Sequence, residues 1–370
     1  MDAATADLST DVLIVGGGLA GLALAWQCQQ RGNDYRLIEA RDRWGGRVLS
    51  HAVTLGQCAA HVDVGPSWFW PGQPRIAQLI EQLNLQAFDQ FSDGATAYED
   101  ERGHLSRNRG YASMQGAFRL LGGMGALTAA LSARLDTRRI ALNCAALKIN
   151  PAGEELLTEV AHGATAVRRI QSRRVVLAVP PRVIAKSIHL DAMVNPTQLA
   201  ALQSIPTWMA AQAKVVAVYE RPFWREAGWS GDAMSRHGPL VEIHDASGAP
   251  GTPYALYALF GFVGVPAAAR QGQSVALLEH AKQQLARLFG DAALQPVKIM
   301  LQDWVEEPHT ATPLDAKALA QHPDYGLPPA LLNLAQGRLL LACSEVAPEY
   351  GGYLEGALSA AELAFHQLGK

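Results

Sequence analysis

A glycine-rich turn near the start of the chain constrains the fold more than any other feature. Gly16, Gly18 and Gly21 form the pattern G-x-G-x-x-G directly after the apolar run "DVLIV". A helix is predicted over "LALAWQCQQRG", and a second strand over "DYRLIE", which ends at Glu39. The first glycine permits a tight turn, the second lets the backbone approach a pyrophosphate, and the third lets helix and strand pack closely. The segment therefore predicts a βαβ dinucleotide-binding unit.

The acid at the end of the second strand completes this pattern. Glu39 follows Gly21 by 18 positions, where a carboxylate binds ribose hydroxyls and repels the additional phosphate of NADP. The N-terminus of the intervening helix offers free N–H groups and a positive partial charge to a phosphate. A glycine triplet alone is weak evidence, and its flanking strand, helix and acid make the interpretation specific. These residues do not distinguish NAD from FAD.

The stretch "EARDRWGGRV" begins at Glu39 and carries a second possible phosphate site. Gly45 and Gly46 allow close backbone approach, and Arg47 provides a guanidinium that can neutralise a phosphate. On spacing alone, an exposed basic turn is about as good an interpretation.

Composition excludes several other classes of function. The chain has 370 residues, of which 49% are hydrophobic and 18% charged, with a formal net charge of -3. That charge gives no reason to expect a nucleic acid or an anionic membrane as partner. Four widely spaced cysteines without a CxxC disfavour disulfides and a zinc site, and no metal site is predicted. Glycines interrupt the apolar N-terminal run, so no membrane span is expected, and a cytoplasmic location fits best.

The glycine turn and "EARDRWGGRV" together resemble the FAD-dependent amine oxidase family, which includes flavin monoamine oxidases and polyamine oxidases. The segments "HVDVGPSWFW", "AKVVAVYERPFWREAGWSG", "QDWVEEP" and "ACSEVAPEYGGYLEGALSAAELA" continue the resemblance in family order over nearly the whole chain. It implies FAD as cofactor. It also implies an α/β fold, in which an FAD-binding Rossmann-type domain is interwoven with an α+β substrate domain.

The resemblance divides the chain into alternating segments. Residues 1–75, 125–204 and 313–370 are expected to form the discontinuous FAD-binding domain, and residues 76–124 and 205–312 the substrate domain. Between Trp68 and the "GGMG" segment the chain is shorter than in familiar family members. A smaller substrate domain with a more open pocket is therefore expected.

By resemblance, residues in all three FAD-domain segments contact the cofactor. Leu147 matches a backbone contact to adenine, Ser344 and Glu345 match the segment along the ribityl chain, and Leu354 contributes a backbone N–H at a helix N-terminus. An ordinary amphipathic C-terminal helix is the alternative for that last segment. The full set is Gly16, Gly18, Ala20, Gly21, Glu39, Ala40, Arg41, Gly46, Arg47, Gly65, Pro66, Ser67, Trp68, Leu147, Ser344, Glu345 and Leu354.

Lys214 and Tyr353 are the candidate catalytic residues. Lys214 lies in the alternating run "AKVVAVY", where a lysine usually faces solvent. The resemblance instead places it near flavin N5, through a water molecule, where a cation stabilises developing charge and assists the reaction with oxygen. Tyr353 matches one member of an aromatic cage around the substrate amine.

The substrate pocket is expected to contain Trp304, Leu314 and Tyr353. Leu314 occupies the position of the second cage aromatic, so the cage is incomplete. Pro313 stands where covalently flavinylated relatives have a cysteine, and FAD is therefore expected to be non-covalent.

The expected reaction is oxidation of an amine C–N bond by hydride transfer to FAD. Oxygen would be the acceptor, and the products would be an imine or aldehyde and H2O2. Two alternatives stay open: an FAD-dependent dehydrogenase or desaturase with an acceptor other than O2, and a flavin-binding redox protein of low turnover. Lys214 and the "PFWR" segment favour the oxidase. The expected partners are a small amine and O2, with a homodimer as a possibility.

Overall fold

Two seven-stranded sheets organise the chain. The computed structural model describes residues 7–108, 113–163, 166–252 and 255–369. The strands are β1 (Leu8–Val15), β2 (Tyr35–Ile38), β3 (Ser50–Leu55), β4 (Cys58–Asp63), β5 (Ala87–Asp89), β6 (Ala95–Glu99), β7 (Leu105–Asn108), β8 (Phe118–Leu120), β9 (Ile140–Ala141), β10 (Cys144–Ala152), β11 (Glu155–His162), β12 (Ala166–Leu177), β13 (Ala213–Tyr219), β14 (Trp229–Ser235), β15 (Leu240–Asp245), β16 (Tyr257–Val263), β17 (Lys298–Asp303) and β18 (Leu339–Leu341). The α-helices are α1 (Leu19–Gln30), α2 (Pro74–Gln82), α3 (Gly125–Arg134), α4 (Pro181–Ser187), α5 (Pro196–Ser204), α6 (Phe223–Glu226), α7 (Ala267–Arg270), α8 (Ser274–Phe289) and α9 (Leu354–Leu368).

The first sheet contains the predicted βαβ unit. Its strand order is β10-β11-β12-β1-β2-β9, and β18 also pairs with β12. Strands β12, β1, β2 and β9 run parallel, with Ile14 beside Leu37 on one side and Val176 on the other. Because parallel strands end at the same edge of a sheet, the turn after β1 and the acid after β2 lie together there. The α/β fold with a Rossmann-type unit is confirmed.

Helix α1 packs against α3 and α9 in the core beside this sheet. The side chains of Leu22, Leu24, Leu127 and Leu131 are fully buried there. The C-terminal helix is thereby fixed against the helix that follows the glycine turn.

Helix α2 belongs to the same core, although the predicted substrate domain begins at residue 76. Ile76, Leu79 and Ile80 lie on one helical face and are buried in that core. The buried Glu355 carboxylate of α9 accepts the N–H groups of Arg75 and Ile76 at 3.1 and 2.9 Å. This carboxylate satisfies two free donors of the α2 N-terminus. The hydrophobic core around α1 and α9 therefore includes residues on both sides of the predicted boundary.

The second sheet has the order β17-β13-β16-β15-β14-β6-β7. Its neighbours are antiparallel except β14 and β6, and all its strands fall within residues 76–124 and 205–312. Strand β13 is buried along its entire length because β16 and β17 flank it and α8 covers the same core. The division into two domains remains a prediction.

A small core joins the β3–β4 hairpin to the second sheet. Val53 and Val62 of the hairpin pack with Val216 and Phe260 of the sheet. The chain leaving β4 therefore passes beside β13. Within the described part of the chain no helix is long and apolar enough to cross a membrane, and all four cysteines are free thiols.

Candidate active site

One cavity of about 520 Å³ lies between the two sheets and contains most of the predicted site residues. Those that line it are Gly16, Gly18, Ala20, Glu39, Ala40, Arg41, Gly46, Arg47, Gly65, Pro66, Ser67, Trp68, Lys214, Trp304, Ser344, Tyr353 and Leu354. Those outside its lining are Gly21, Leu147, Leu314 and Glu345. The cavity thus connects the glycine turn to the candidate catalytic residues.

The first glycine turn leaves an open backbone face at the start of α1. Gly16 has φ of +107°, and a Cβ at Gly21 would lie 1.9 Å from the Gly16 carbonyl oxygen. A Cβ at Gly18, by contrast, would have only the Gly45 oxygen within 4 Å, at 3.9 Å. No side chain caps the N-terminus of α1. Gly21 therefore allows the elements to pack, and Gly18 leaves open space beside the start of α1, whose first-turn N–H groups have no intrahelical acceptor.

Glu39 is held rigidly at the edge of this turn. Its side chain is buried, and its carboxylate accepts the N–H groups of Gly17 at 2.7 Å and Arg41 at 2.9 Å. The Arg41 guanidinium extends to Glu307 and Thr310, at 3.2 and 2.9 Å. The acid keeps the loop shape that the glycines permit and presents its remaining acceptor capacity to the cavity.

The second glycine turn lies directly against the first. The Gly45 N–H donates to the Gly17 carbonyl at 2.8 Å, and a Cβ at Gly46 would lie 3.2 Å from the Gly18 Cα. Gly45 is buried. The stretch "EARDRWGGRV" is therefore part of the cavity wall and is not an exposed basic turn.

Arg47 reaches from this turn to the C-terminal part of the chain. Its guanidinium donates twice to the Glu345 carboxylate, and one nitrogen is 3.3 Å from Ser344 Oγ. Glu345 is completely buried and Arg47 is 28% exposed. The predicted phosphate-binding arginine and the predicted ribityl-segment acid thus form an ion pair.

Lys214 projects from β13 into the cavity wall and not into solvent. Only 3% of the residue is exposed. Its ammonium donates to the carbonyls of Gly65 and Asp63, at 2.8 and 3.3 Å, and to Ser67 Oγ at 2.9 Å. The nitrogen also lies 4.0 Å from the centre of the Phe260 ring. Burial lowers the pKa of Lys214 to about 7.

The segment after β4 brings its predicted residues beside this lysine. A Cβ at Gly65 would lie 2.2 Å from the Arg47 carbonyl oxygen, so only glycine permits this approach. Trp68 donates its indole N–H to Gln90 at 2.8 Å. Trp304 is 8% exposed, lines the cavity and donates its indole N–H to the Val64 carbonyl at 3.0 Å.

Tyr353 precedes the first residue of α9, Leu354, and is 38% exposed. Its ring stacks on His322, with centroids 5.2 Å apart and planes at 19°. His322 is also in edge contact with Trp208, at 4.9 Å. Trp208, which lines the cavity, and His322 were not anticipated from the sequence. Their proximity to Tyr353 depends on packing between distant loops, for which no local pattern gives a signal.

Leu147 and Leu314 are two of the four predicted residues outside the cavity lining. The Leu147 carbonyl accepts the His189 N–H at 2.8 Å, and its strand contributes Cys144 and Ala146 to the lining. Leu314 is 58% exposed, because Asp315 hydrogen-bonds back to Thr312 and turns this segment outward. The aromatic position that the resemblance assigned to Leu314 is therefore not within the cavity.

The residues present fit a bound FAD. The uncapped start of α1 beside the open Gly18 backbone suits a pyrophosphate, and the buried Glu39 suits a ribose. The cavity extends from these groups to Lys214 and to the start of α9, where first-turn N–H groups have no intrahelical acceptor.

Comparison with known families decides the assignment. The profile described as "Flavin containing amine oxidoreductase" matches residues 102–364, and one described as "NAD(P)-binding Rossmann-like domain" matches residues 14–83. The chain belongs to the flavin containing amine oxidoreductase family. It is accordingly an FAD-dependent oxidoreductase, and the FAD prediction is confirmed.

Individual members of the family are similar over nearly the whole chain. The "Probable flavin-containing monoamine oxidase A" of Dictyostelium discoideum is 22% identical and covers 94% of this chain and 95% of that protein. The "L-amino acid dehydrogenase" of a Synechocystis strain is 24% identical, with 96% and 94% covered. A solved structure of a putrescine oxidase A394C mutant shares the fold, with a TM-score of 0.78, 19% identity, and 98% and 99% covered.

Proposed function

We propose that this flavin containing amine oxidoreductase oxidises the C–N bond of an apolar amine and uses O2 as its electron acceptor. The observation that carries the proposal is the single cavity that joins an open dinucleotide cradle to the buried Lys214. When bound, FAD would supply the redox chemistry, which is acceptance of a hydride from the amine α-carbon and delivery of the two electrons to O2. The products would be an imine and H2O2, and water would hydrolyse the imine to an aldehyde and ammonia or an amine.

The chain would hold the cofactor with groups from three distant segments. The backbone at Gly18 and the guanidinium of Arg47 would bind the diphosphate, and Glu39 would bind a ribose. The N–H of Leu354, at the positive end of α9, would stabilise negative charge on the flavin ring. Gly65, Pro66, Ser67 and Trp68 would lie along that ring by family resemblance.

Lys214 would provide an adjustable positive charge beside the reacting part of the flavin. With a pKa of about 7, it exchanges between amine and ammonium in the neutral range. Its donors are aimed at the carbonyl of Gly65 and the hydroxyl of Ser67, in the segment assigned to the ring. An ammonium in a buried site stabilises nearby negative charge more strongly than in water.

The lining around Lys214 and Tyr353 favours an amine with an apolar body. These lining side chains are aromatic, apolar or amide: Trp70, Gln73, Met114, Trp208, Met209, Gln212 and Phe262. Within the described lining the only carboxylate is Glu39 and the only guanidiniums are Arg41 and Arg47, all assigned to the nucleotide. The other basic side chains of the described lining are Lys214, assigned to the flavin, and His309, which lies near Arg41 and Glu39 at the nucleotide end. The described lining therefore offers no carboxylate for the second ammonium of a diamine and no guanidinium for an amino acid carboxylate beyond those assigned to the cofactor. Tyr353 would orient the neutral amine.

The test is anaerobic mixing of the FAD-loaded protein with a panel of apolar monoamines, diamines and L-amino acids. Bleaching of the flavin by a monoamine, followed by recovery of colour and H2O2 in air, is the expected result. Bleaching without recovery in air would support the dehydrogenase alternative, for which the amino acid dehydrogenase relative gives a precedent. No bleaching by any amine would contradict amine oxidation itself.

A further inference from the structure

Behind Lys214 lies a buried pair of opposite charges that the proposed reaction does not use. Asp63 is at the end of β4 and Arg119 is in β8, and their side chains are 1% and 4% exposed. One nitrogen of Arg119 is 3.8 Å from Asp63 Oδ2. Buried charges are costly unless paired, so this pair needs an explanation.

Only one of the two carboxylate oxygens of Asp63 accepts hydrogen bonds from the described residues. Oδ1 accepts the hydroxyl of Ser50 and the N–H of Met124, the latter at 2.8 Å. Oδ2 has no hydrogen-bond partner among the described residues, although it is buried. The carboxylate is therefore fixed in place by one oxygen, while the other faces Arg119 without full neutralisation.

Arg119 is similarly incomplete. One guanidinium nitrogen donates to the Ser247 carbonyl at 2.6 Å, and the guanidinium lies 5.6 Å from the centre of the Phe88 ring. Its buried Nε has no hydrogen-bond partner among the described residues. Arginine stays charged in proteins, so Arg119 maintains a positive charge that Asp63 balances.

Lys214 is the third member of this group. Its ammonium binds the backbone carbonyl of Asp63, and its other described contacts are the neutral acceptors of Gly65 and Ser67 and the rings of Phe260 and Phe262. The opposing charges of Asp63 and Arg119 cancel, so protonation of Lys214 adds a net positive charge to a buried cluster. Among the described residues, Asp63 and Arg119 are the two charged side chains that act electrostatically on Lys214.

Other charged groups lie one layer further away. Arg225 and Asp245 form an ion pair that acts on Arg119. His244, which contacts Phe260, is held between Asp232 and Glu242. These groups are paired with one another and contact Lys214 only through intervening residues.

We propose that Asp63 and Arg119 are positioning residues that set the charge of Lys214 from opposite directions. Asp63 holds the proton on the amine and Arg119 drives it off. These two charges act on a lysine whose burial already disfavours the ammonium form, so Lys214 is not a permanent cation. The charge assignment stands independently of the proposed function, whereas its consequence for the reaction with oxygen rests on that function.

The direct test measures the charge of Lys214 by labelling. Only a neutral amine reacts with trace acetic anhydride, so the extent of acetylation at each pH, read by peptide mass spectrometry, reports the fraction deprotonated. The exposed Lys186 in the same digest is the internal reference. Apoprotein and FAD-loaded protein are measured from pH 5 to 11. For the wild-type apoprotein a midpoint near pH 7 is expected, and a midpoint near 10 would overturn the proposal.

Two substitutions should move this midpoint in opposite directions. Asp63→Asn keeps an acceptor for Ser50 and Met124 but removes the negative charge, and should lower the midpoint by about one pH unit or more. Arg119→Met removes the positive charge and should raise it by a similar amount. No movement in either variant, or movement of both in one direction, would overturn the proposal.

Two controls separate charge from structural damage. Arg119→Lys preserves the charge, so its midpoint should stay close to the wild-type value. Asp136→Asn removes a carboxylate paired with Arg138 far from the cavity, and it should have no effect. Because each charge-removing variant has its own expected direction, whichever of the two folds decides the outcome, and a wild-type midpoint near 10 overturns the proposal even if neither folds.

The kinetics of flavin reoxidation by O2 then test the charge-setting role of Asp63 and Arg119 separately from the proposed oxidase function. The pH profile of flavin reoxidation should shift in the same direction as the labelling midpoint in each variant. If the labelling midpoint of Lys214 shifts while the pH profile of reoxidation does not, Asp63 and Arg119 set the charge of Lys214, but Lys214 has no role in the reaction with oxygen.

Discussion

Arg47 and Glu345 join two parts of the chain that are 298 residues apart. Family resemblance assigns each residue separately to FAD. The structure adds that the carboxylate is completely buried and receives two guanidinium hydrogen bonds. At the residue scale, the same arginine therefore has two expected tasks, which are to neutralise a phosphate and to satisfy a buried acid.

Arg47→Ala should therefore impair both cofactor binding and folding. Loss of a charge-assisted phosphate contact should weaken FAD binding by about 1.5–3 kcal/mol. Leaving Glu345 buried and unpaired should also destabilise the apoprotein, by less than the ~3–5 kcal/mol of a fully buried pair, because Arg47 is partly exposed. Fluorescence titration with FAD and urea unfolding of the apoprotein measure the two effects. Arg36→Ala is the surface control, and unchanged FAD affinity in Arg47→Ala would remove Arg47 from the cofactor site.

Lys214→Met should change how apoprotein stability depends on pH. The pKa of Lys214 is 10.5 in an unfolded chain and about 7 in the folded protein, so between these values the unfolded state binds more protons. This difference makes wild-type stability rise with pH across that window, by about 1.4 kcal/mol per pH unit at most, and the penalty of burying the charge is fully present below pH 7. The variant lacks this contribution, so its stability relative to wild type should be greatest near pH 7 and least near pH 10.5. Thermal unfolding of both proteins at several pH values measures this, with Lys186→Met as control. A difference in stability between variant and wild type that did not vary with pH would refute the lowered pKa of Lys214.

At the scale of elements, the βαβ unit shows what local sequence patterns can predict. The strand, the glycines, the helix and Glu39 lie within one short stretch of chain, and each signal has a local physical cause. The assignment of α2 shows the opposite case. Its apolar face was readable, but its packing partner is α9, which follows it by more than 270 residues and supplies Glu355. The packing of α2 therefore depends on a contact that no local pattern reveals.

Two glycine substitutions in this unit should have separate effects. In Gly21→Ala the new methyl group would lie 1.9 Å from the Gly16 oxygen, so helix and strand must move apart and the apoprotein should lose stability. In Gly18→Ala the nearest atom is 3.9 Å away, so the apoprotein should fold normally. FAD affinity should fall at least tenfold in Gly18→Ala, because the methyl group projects where the backbone meets the pyrophosphate. Calorimetry of both apoproteins and FAD titration of Gly18→Ala check this, and equal destabilisation of the two variants would contradict it.

At the scale of the whole molecule, the cavity exists only where segments of both sheets meet. Seventeen of the predicted residues line it, because short motifs, recognised by pattern or by family resemblance, carry the glycine turns, Lys214 and the start of α9. Trp208 and His322 have no such motif and reach Tyr353 through loop packing. Leu314 was assigned by counting along a segment whose turn directs it to solvent. For residues in loops outside helices and strands, position in the sequence is the poorest guide to where the side chain lies.

FAD should be bound without a covalent link to the chain. Pro313 lies in a short 3-10 turn and offers no thiol. The cysteines that line the described cavity are Cys144 and Cys343, and burial raises the pKa of both thiols, which leaves them largely un-ionised and unreactive. Acid precipitation should give a colourless pellet and release intact FAD. Flavin that stays with the pellet, and is lost from it in Cys343→Ala or Cys144→Ala, would show a covalent link.

Tyr353 and Leu314 offer a matched test of where the amine binds. Tyr353 lines the cavity and is stacked on His322, so its ring is fixed in orientation. An aromatic face that orients the amine lowers the barrier by restricting unproductive poses. Tyr353→Ala should therefore slow flavin reduction at saturating amine by about tenfold, which corresponds to ~1.4 kcal/mol. Tyr353→Phe, which keeps the ring, should retain most of the rate.

Leu314→Tyr should leave this rate unchanged, because Leu314 is 58% exposed and outside the cavity lining. His322→Ala should give an intermediate loss, since it removes the ring against which Tyr353 stacks. Anaerobic stopped-flow reduction of the four variants by the best amine, with FAD content checked beforehand, measures all of these effects. A faster rate in Leu314→Tyr would mean that this loop closes over the cavity during turnover. A wild-type rate in Tyr353→Ala would mean that Tyr353 only packs against His322 and does not contact the substrate.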